Sequence, residues 1–311
     1  MFAQEQNMQR SLIDYVIITL KGLAMGAADV VPGVSGGTIA FISGIYEELI
    51  DSINRINPQA IRIWKEDGIG AAWRYVNGNF LLALLTGIAI SVLSLARLLK
   101  WLLENEPVLL WSFFFGLVFA SIILVARQIQ HWRLVTVAGF IAGALVAWYI
   151  TTLPPMQDTQ NNLFLFFAGA LAICAMILPG ISGAFILVLL GAYETVLEAV
   201  NEKDLKTIAI IGLGAIFGLL SFSRLLKYLF SRYKNTTLAV LTGFIFGSLN
   251  KIWPWKEVVS SRTIGEKTIT VEQSISPFHF EGNPQLLAAC VLALSGFLFI
   301  YFLERLAIKR S

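Results

Sequence analysis

Ionisable side chains are scarce in this chain: Lys, Arg, Asp and Glu make up 14% of its 311 residues, against about 25% in ordinary soluble domains. Apolar types supply 57%. That balance excludes a soluble globular domain and points to a polytopic membrane protein, with room for about six to ten spans of ~20 residues. There are two histidines, His131 and His279, both in polar connections, which removes most histidine-dependent catalysis and zinc chemistry. The two cysteines, Cys174 and Cys290, lie in separate apolar runs and read as packing residues, not as a disulfide or a metal pair. No metal site and no cofactor is expected. A net charge of +3 is too small to attract nucleic acid. The opening from Met1 to Arg10 is polar and reads as an interfacial lead-in; no small-residue cleavage site follows a short apolar core, so no cleavable signal peptide is expected.

What the chain does have, it has twice. Pro32-Gly33-Val34-Ser35-Gly36-Gly37-Thr38 runs on to Gly44-Ile45-Tyr46-Glu47, and Pro179-Gly180-Ile181-Ser182-Gly183-Ala184-Phe185 runs on to Gly191-Ala192-Tyr193-Glu194. The offset is constant, since 179 − 32, 182 − 35, 191 − 44 and 194 − 47 all equal 147. Pro-Gly interrupts a helix in an apolar segment, because proline lacks a donor and glycine tolerates unusual dihedrals. Ser35 and Ser182 then stand where an N-cap belongs. A new helix start exposes unpaired N–H groups and the positive end of the helix dipole, which suit an anion. A single motif of this kind reads equally as a glycine-mediated helix crossing. Duplication favours the other reading, because helices broken at matching places in two halves mark a transporter's binding site.

The repeat extends further. Ser94, Arg97, Leu98, Leu99 and Lys100 match Ser221, Arg224, Leu225, Leu226 and Lys227 at an offset of 127 (221 − 94), as do Gly87 with Gly214 and Gly116 with Gly243. The connection after the first motif, 55–79, is therefore twenty residues longer than its counterpart (147 − 127 = 20). The expected fold is an all-α polytopic membrane protein of two repeats, 1–155 and 156–311, forming one integrated membrane domain. Each repeat is a broken, re-entrant-like helical hairpin, its second arm a continuous helix (36–54 in the first copy), followed by three spans. Those spans are expected near 79–103, 107–126 and 132–153, and near 206–230, 237–253 and 285–305. A half then crosses an odd number of times whether or not its hairpin spans, so the halves are inverted. Basic residues test this. With N-terminus and C-terminus inside, the cytoplasmic connections carry Arg55, Arg62, Lys65, Arg74, Arg127, Arg133, Arg232, Lys234, Lys309 and Arg310, in keeping with the positive-inside rule. The outer loop 254–284 carries a Thr/Val alternation at 268–271 that suggests a small hairpin.

Charges inside the apolar layer come next. Arg97 and Arg224 lie about six residues from their span ends, roughly 9 Å deep at ~1.5 Å per residue. Two readings stand: snorkelling to the interface, or two guanidiniums reaching from opposite leaflets for one phosphate, whose oxygens their planar fork matches. Asp29, Glu47 and Glu194 are candidates for a proton or charge switch. Glu47 falls about 18 Å beyond Ser35 on a straight helix, and interfacial anchoring beside Tyr46 is its plainer reading. The candidate substrate-binding set is thus Ser35, Gly36, Gly37, Thr38, Ser182, Gly183, Ala184, Arg97 and Arg224.

The stretch from Gly26 through Asp29 to Thr38, with the later Leu178-Pro179-Gly180-Ile181-Ser182-Gly183, resembles a bacterial family long catalogued as a domain of unknown function and now associated with polyprenyl-phosphate translocation. The resemblance covers essentially the whole chain. It implies a multi-pass protein of the bacterial cytoplasmic membrane that returns undecaprenyl phosphate to the inner leaflet for envelope synthesis, and no enzyme. Polyprenyl phosphate and membrane lipids are the partners implied; self-association is left open. The alternatives are a small-anion transporter or channel using the same helix ends and, behind it, an intramembrane lipid-phosphate hydrolase, for which only Ser35, Ser182, Asp29 or Glu47 could act.

Overall fold

The computed structural model describes residues 10–30, 35–153, 161–264 and 267–308. The Pro32-Gly33-Val34 part of the first motif and the Pro154–Asp158 linker lie outside the described residues. The first set of helices is α1 (Leu12–Val30), α2 (Gly36–Ile42), α3 (Tyr46–Asn54), α4 (Pro58–Asp67), α5 (Ile69–Tyr75), α6 (Gly78–Asn105), α7 (Pro107–Arg127) and α8 (Leu134–Thr152). The second is α9 (Asn162–Ile177), α10 (Gly183–Leu189), α11 (Tyr193–Asn201), α12 (Leu205–Ser248) and α13 (Leu286–Ile308), with strands β1 (Lys256–Ile264) and β2 (Lys267–Ser274) before α13. The protein is an all-helical polytopic membrane protein apart from this one hairpin. α7, α8 and the stretch Leu205–Ile252 are long and apolar enough to cross a bilayer, and α6 joins them through a 71° bend after α5. With 44 residues, α12 would be ~66 Å long if straight, about twice the ~30 Å hydrocarbon core. Tyr233, at φ −133° and ψ 44°, divides it into a limb before and a limb after the kink.

Glycine sets how the helices meet. A Cβ at Gly22 of α1 would strike the Leu84 carbonyl of α6, and one at Gly169 of α9 would strike the Ile211 carbonyl of α12. These are the offsets of the sequence repeat, 169 − 22 = 147 and 211 − 84 = 127. Gly87 against the Thr19 carbonyl and Gly214 against the Phe166 carbonyl repeat the pattern. The third helix of each copy then packs on the other copy. Gly116 of α7 presses on the Ala293 carbonyl of α13, and Gly243 of α12 on the Phe140 carbonyl of α8. Here 243 − 116 = 127 and 293 − 140 = 153, and the pairs Gly143–Val240 and Gly296–Phe113 keep both differences. Since lipid tails are as apolar as side chains, helices in a bilayer associate through such close backbone approach.

Three expectations change in detail. The stretch 36–54 is not one straight helix: it bends between α2 and α3 at Gly44, φ +75°, and its counterpart bends between α10 and α11 at Gly191, φ +69°. Both backbones are left-handed, which glycine alone adopts without strain. The 18 Å separation of Ser35 and Glu47 therefore does not apply. The inserted connection 55–79 is helical, with Ile61 and Trp64 on one exposed face of α4 and Arg62 and Lys65 on the other, the pattern of a helix lying in the membrane interface. The hairpin expected within 254–284 is present as antiparallel β1–β2. It is anchored by Trp253 Nε1 donating to the Ile275 carbonyl (2.8 Å) and Trp255 Nε1 donating to the Pro284 carbonyl (2.9 Å).

This packing distinguishes two neighbouring glycines. Gly214 has the Phe166 backbone against it, whereas nothing lies within 4 Å of a Cβ at Gly212. Gly214→Ala should lower stability in detergent by about 1–3 kcal/mol, while Gly212→Ala should leave the melting temperature unchanged or raise it. Thermal unfolding of the purified variants checks this.

Candidate functional site

The two motif segments meet, and side chains of the first bond to the backbone of the second. Ser35 is the N-cap of α2, its Oγ accepting from the Gly37 N–H at 3.1 Å. The same Oγ faces the end of α9, where it donates towards the carbonyls of Leu178 (3.2 Å) and Met176 (3.4 Å). Thr38 Oγ1 accepts from the Gly180 N–H at 2.8 Å. Gly180 has φ +99° and lies against Ser248 and Phe244 of α12, so the turn of the second motif is held on both sides. Gly37 sits on the Ile177 carbonyl, where a Cβ would come within 2.7 Å. Ser182 caps α10 by accepting from the Phe185 N–H at 3.1 Å. Ser35, Thr38 and Ser182 are all buried. At buried positions these pairings matter, because an unpaired buried polar group costs about 1–3 kcal/mol.

α2 is also clamped by charge at both ends. Asp29 Oδ1 accepts from the Gly36 N–H at 2.7 Å, placing a carboxylate at the positive end of α2. Lys21 Nζ donates to the Ser43 carbonyl at 2.7 Å, placing an ammonium at the other end. The two residues are eight apart on α1, about 12 Å, which matches a seven-residue helix of ~10 Å. Both contacts have the sign the helix dipole favours. The offset of 147 puts Met176 and Ala168 at the corresponding places (29 + 147, 21 + 147), so α10 has no such clamp. Consistently, Gly36 to Phe41 are all buried, whereas Ala184 is exposed and Phe185 to Val188 are half-buried.

The remaining candidates are more scattered. Arg224 is exposed on α12 and makes no hydrogen bond or ion pair with either motif among the described residues. Its neighbours tie α12 to α3: Asn54 Nδ2 donates to the Ser223 carbonyl (2.9 Å), and Lys227 pairs with Asp51 (2.7 Å). Glu47 is exposed and pairs with Lys234 at 2.7 Å. The side chains of Arg97 and Glu194 lie outside what is described. Tyr46, expected as an interfacial anchor, is 2% exposed, its ring edge-on to Phe41 and Phe230. Sequence reasoning gave Lys21 no role; its eight-residue spacing from Asp29 beside a short helix was the available signal.

The Thr38–Gly180 bond supports a direct test. Thr38→Val keeps the shape but leaves the Gly180 N–H unpaired, and should destabilise the protein by about 1–3 kcal/mol. Thr38→Ser keeps the acceptor and should lie within about 1 kcal/mol of the native chain. Chemical unfolding in detergent reads both.

Residues 25–269 match the family model VCA0040-like, described as undecaprenyl phosphate translocase-like. The chain is 48% identical over 303 residues to a polyprenyl-phosphate transporter of Vibrio cholerae, covering 96% of this chain and 98% of that one. It is 32% identical over 253 residues to a polyprenyl-phosphate transporter of Staphylococcus aureus, covering 76% of this chain and 85% of the relative. No solved structure matches the chain. A family model matched over most of the chain and a relative alike along nearly its whole length make this chain a member of the undecaprenyl phosphate translocase-like family.

Proposed function

We propose that the protein translocates polyprenyl phosphate, in particular undecaprenyl phosphate, across the bacterial cytoplasmic membrane and returns the lipid carrier for envelope synthesis. The observation that carries the reading is the meeting of the two breaks at Ser35, Thr38 and Gly180, together with relatives named for this transport. The substrate leaves chemically unchanged; the protein is a carrier and no enzyme. The phosphate binds at residues 35–38 and 182–184, with Arg97 and Arg224 neutralising its charge from the two sides.

Asp29 is the charge switch in this reading. It holds the Gly36 N–H in the present structure, and an arriving phosphate takes its place while the carboxylate swings away or is neutralised. Exchanging one anion for another at a single donor keeps net binding weak enough for release, as transport requires. Glu47 and Glu194 are secondary candidates. The two copies are inverted in the membrane, with N-terminus and C-terminus inside, and their exchanged helices α8 and α13 bind the halves into one body. The recurrence of glycine contacts at fixed offsets supports that arrangement.

Purified protein in liposomes should move labelled undecaprenyl phosphate between leaflets and return it intact; protein-dependent release of inorganic phosphate would favour the hydrolase, and transport of phosphate or chloride alone the small-anion carrier. Arg97→Ala or Arg224→Ala should weaken head-group binding roughly 10- to 150-fold, one charge-assisted contact's worth. Native behaviour of both variants would make these residues interfacial anchors. Single cysteines at positions 65 and 262 should label from opposite faces of the membrane, and labelling from one face would exclude inversion.

A further inference from the structure

An open apolar groove runs along the outside of α8 and the limb of α12 after the kink. It has a volume of about 400 Å³ and is lined by Ala144, Leu145, Trp148, Phe246, Gly247 and Asn250. Its form follows from the crossing beneath it. Gly247 presses on the Ala144 carbonyl, so the floor is made of the two smallest side chains available. Leu145, Trp148 and Phe246 stand exposed around it as walls. One end is polar. Asn250 lies there, its carbonyl accepting from Ser274 Oγ of β2 at 3.0 Å. The next residue, Lys251, holds its ammonium 4.8 Å from the centre of the Phe185 ring. Phe185 belongs to α10, the helix that starts at the second break. The groove thus ends at Asn250, and the ammonium of the next residue sits over a ring of α10, the less buried of the two helices that follow the motifs.

The matching positions of the other copy carry different side chains. The offsets of 127 and 153 carry Gly247 and Phe246 to Ala120 and Phe119, and Ala144, Leu145 and Trp148 to Phe297, Leu298 and Tyr301. The alanine of the floor becomes a phenylalanine, and Asn250 and Lys251 become Ile123 and Leu124. A small-residue floor and a cation encoded in one copy of an otherwise repeated scaffold fit a ligand that has both an apolar chain and an anionic head and that is met in one leaflet only.

We propose that this groove is the loading site for polyprenyl phosphate: its isoprenoid chain near the head lies along Trp148 and Phe246, and its phosphate meets Lys251 before passing to the break at residues 179–183. The proposal rests on the transport reading above. In the N-inside orientation the hairpin end of the groove lies in the outer leaflet, so loading occurs there. The volume admits only the first isoprene units, leaving the rest of the chain in lipid. Branched, unsaturated units match flat aromatic walls better than saturated acyl chains do, which separates this ligand from the surrounding phospholipid.

The test uses full-length protein in nanodiscs and a polyprenyl phosphate carrying a photoreactive diazirine in its first isoprene units. Crosslinks should map to 144–148 and 246–251. Unlabelled undecaprenyl phosphate should suppress them, while saturated phosphatidic acid and inorganic phosphate should not. Lys251→Gln should weaken probe binding by about 10-fold or more, and Ala144→Phe, which copies the residue at 297, should abolish these crosslinks while the protein keeps its melting temperature. Should Ala144→Phe misfold, Trp148→Ala, at an exposed position, should still reduce crosslinking at 246–251. Crosslinks elsewhere in a protein that transports normally would overturn the groove and leave the transport reading standing, and equal competition by phosphatidic acid would make it a general lipid contact. Failure of the native protein to move polyprenyl phosphate at all would overturn the transport reading, and the loading role with it.

Discussion

A backbone that breaks inside a bilayer must find every hydrogen bond within the protein, because the hydrocarbon offers no water to replace a lost partner. That constraint accounts for most of what surrounds the two motifs. Ser35 serves the Gly37 N–H on one side and the carbonyls at the end of α9 on the other. Thr38 serves the Gly180 N–H, and Asp29 serves the Gly36 N–H. Side chains of the first motif thus serve the backbone of the second, while the Gly36 and Gly37 N–H groups are held within the first half.

Around that centre the scaffold is repetitive and the departures from repetition are informative. Glycine seats recur at offsets of 127, 147 and 153 and set the helix crossings. Against this background Lys21 and Asp29 clamp α2, where the matching positions of the second copy are Ala168 and Met176, and Lys251, next to the groove, sits over a ring of α10. α2 is held at both ends and buried from Gly36 to Phe41, while α10 is the more open of the two.

Much of this was legible in the sequence. The doubled motif, its caps, the repeat offsets and the β1–β2 hairpin follow from residue types and spacing, because such residues act locally on the backbone. Other features depend on what a residue touches. The bend at Gly44 was hidden because a lone glycine within an apolar run is compatible with a continuing helix. Tyr46 was misplaced at the interface because its burial depends on Phe230, far away in the chain. Asp29 was named as a charge in the apolar layer, yet its joint role with Lys21 on α2 needs the fold that brings the helix beside them. The exchange of α8 and α13 between the copies left no local signal, although the glycines that allow it are plain.

The central claim is that the phosphate of the lipid sits at the paired breaks. Its most direct test is a solid-state NMR distance between phosphorus of bound undecaprenyl phosphate and the amide nitrogens of Gly36 and Gly183, labelled in the full-length protein in lipid. A hydrogen-bonded phosphate puts phosphorus about 4 Å from the nitrogen. The account predicts dephasing consistent with that distance at one or both glycines, reduced when excess unlabelled ligand lacking phosphorus replaces the bound lipid. Saturated binding with no phosphorus near either nitrogen would contradict it.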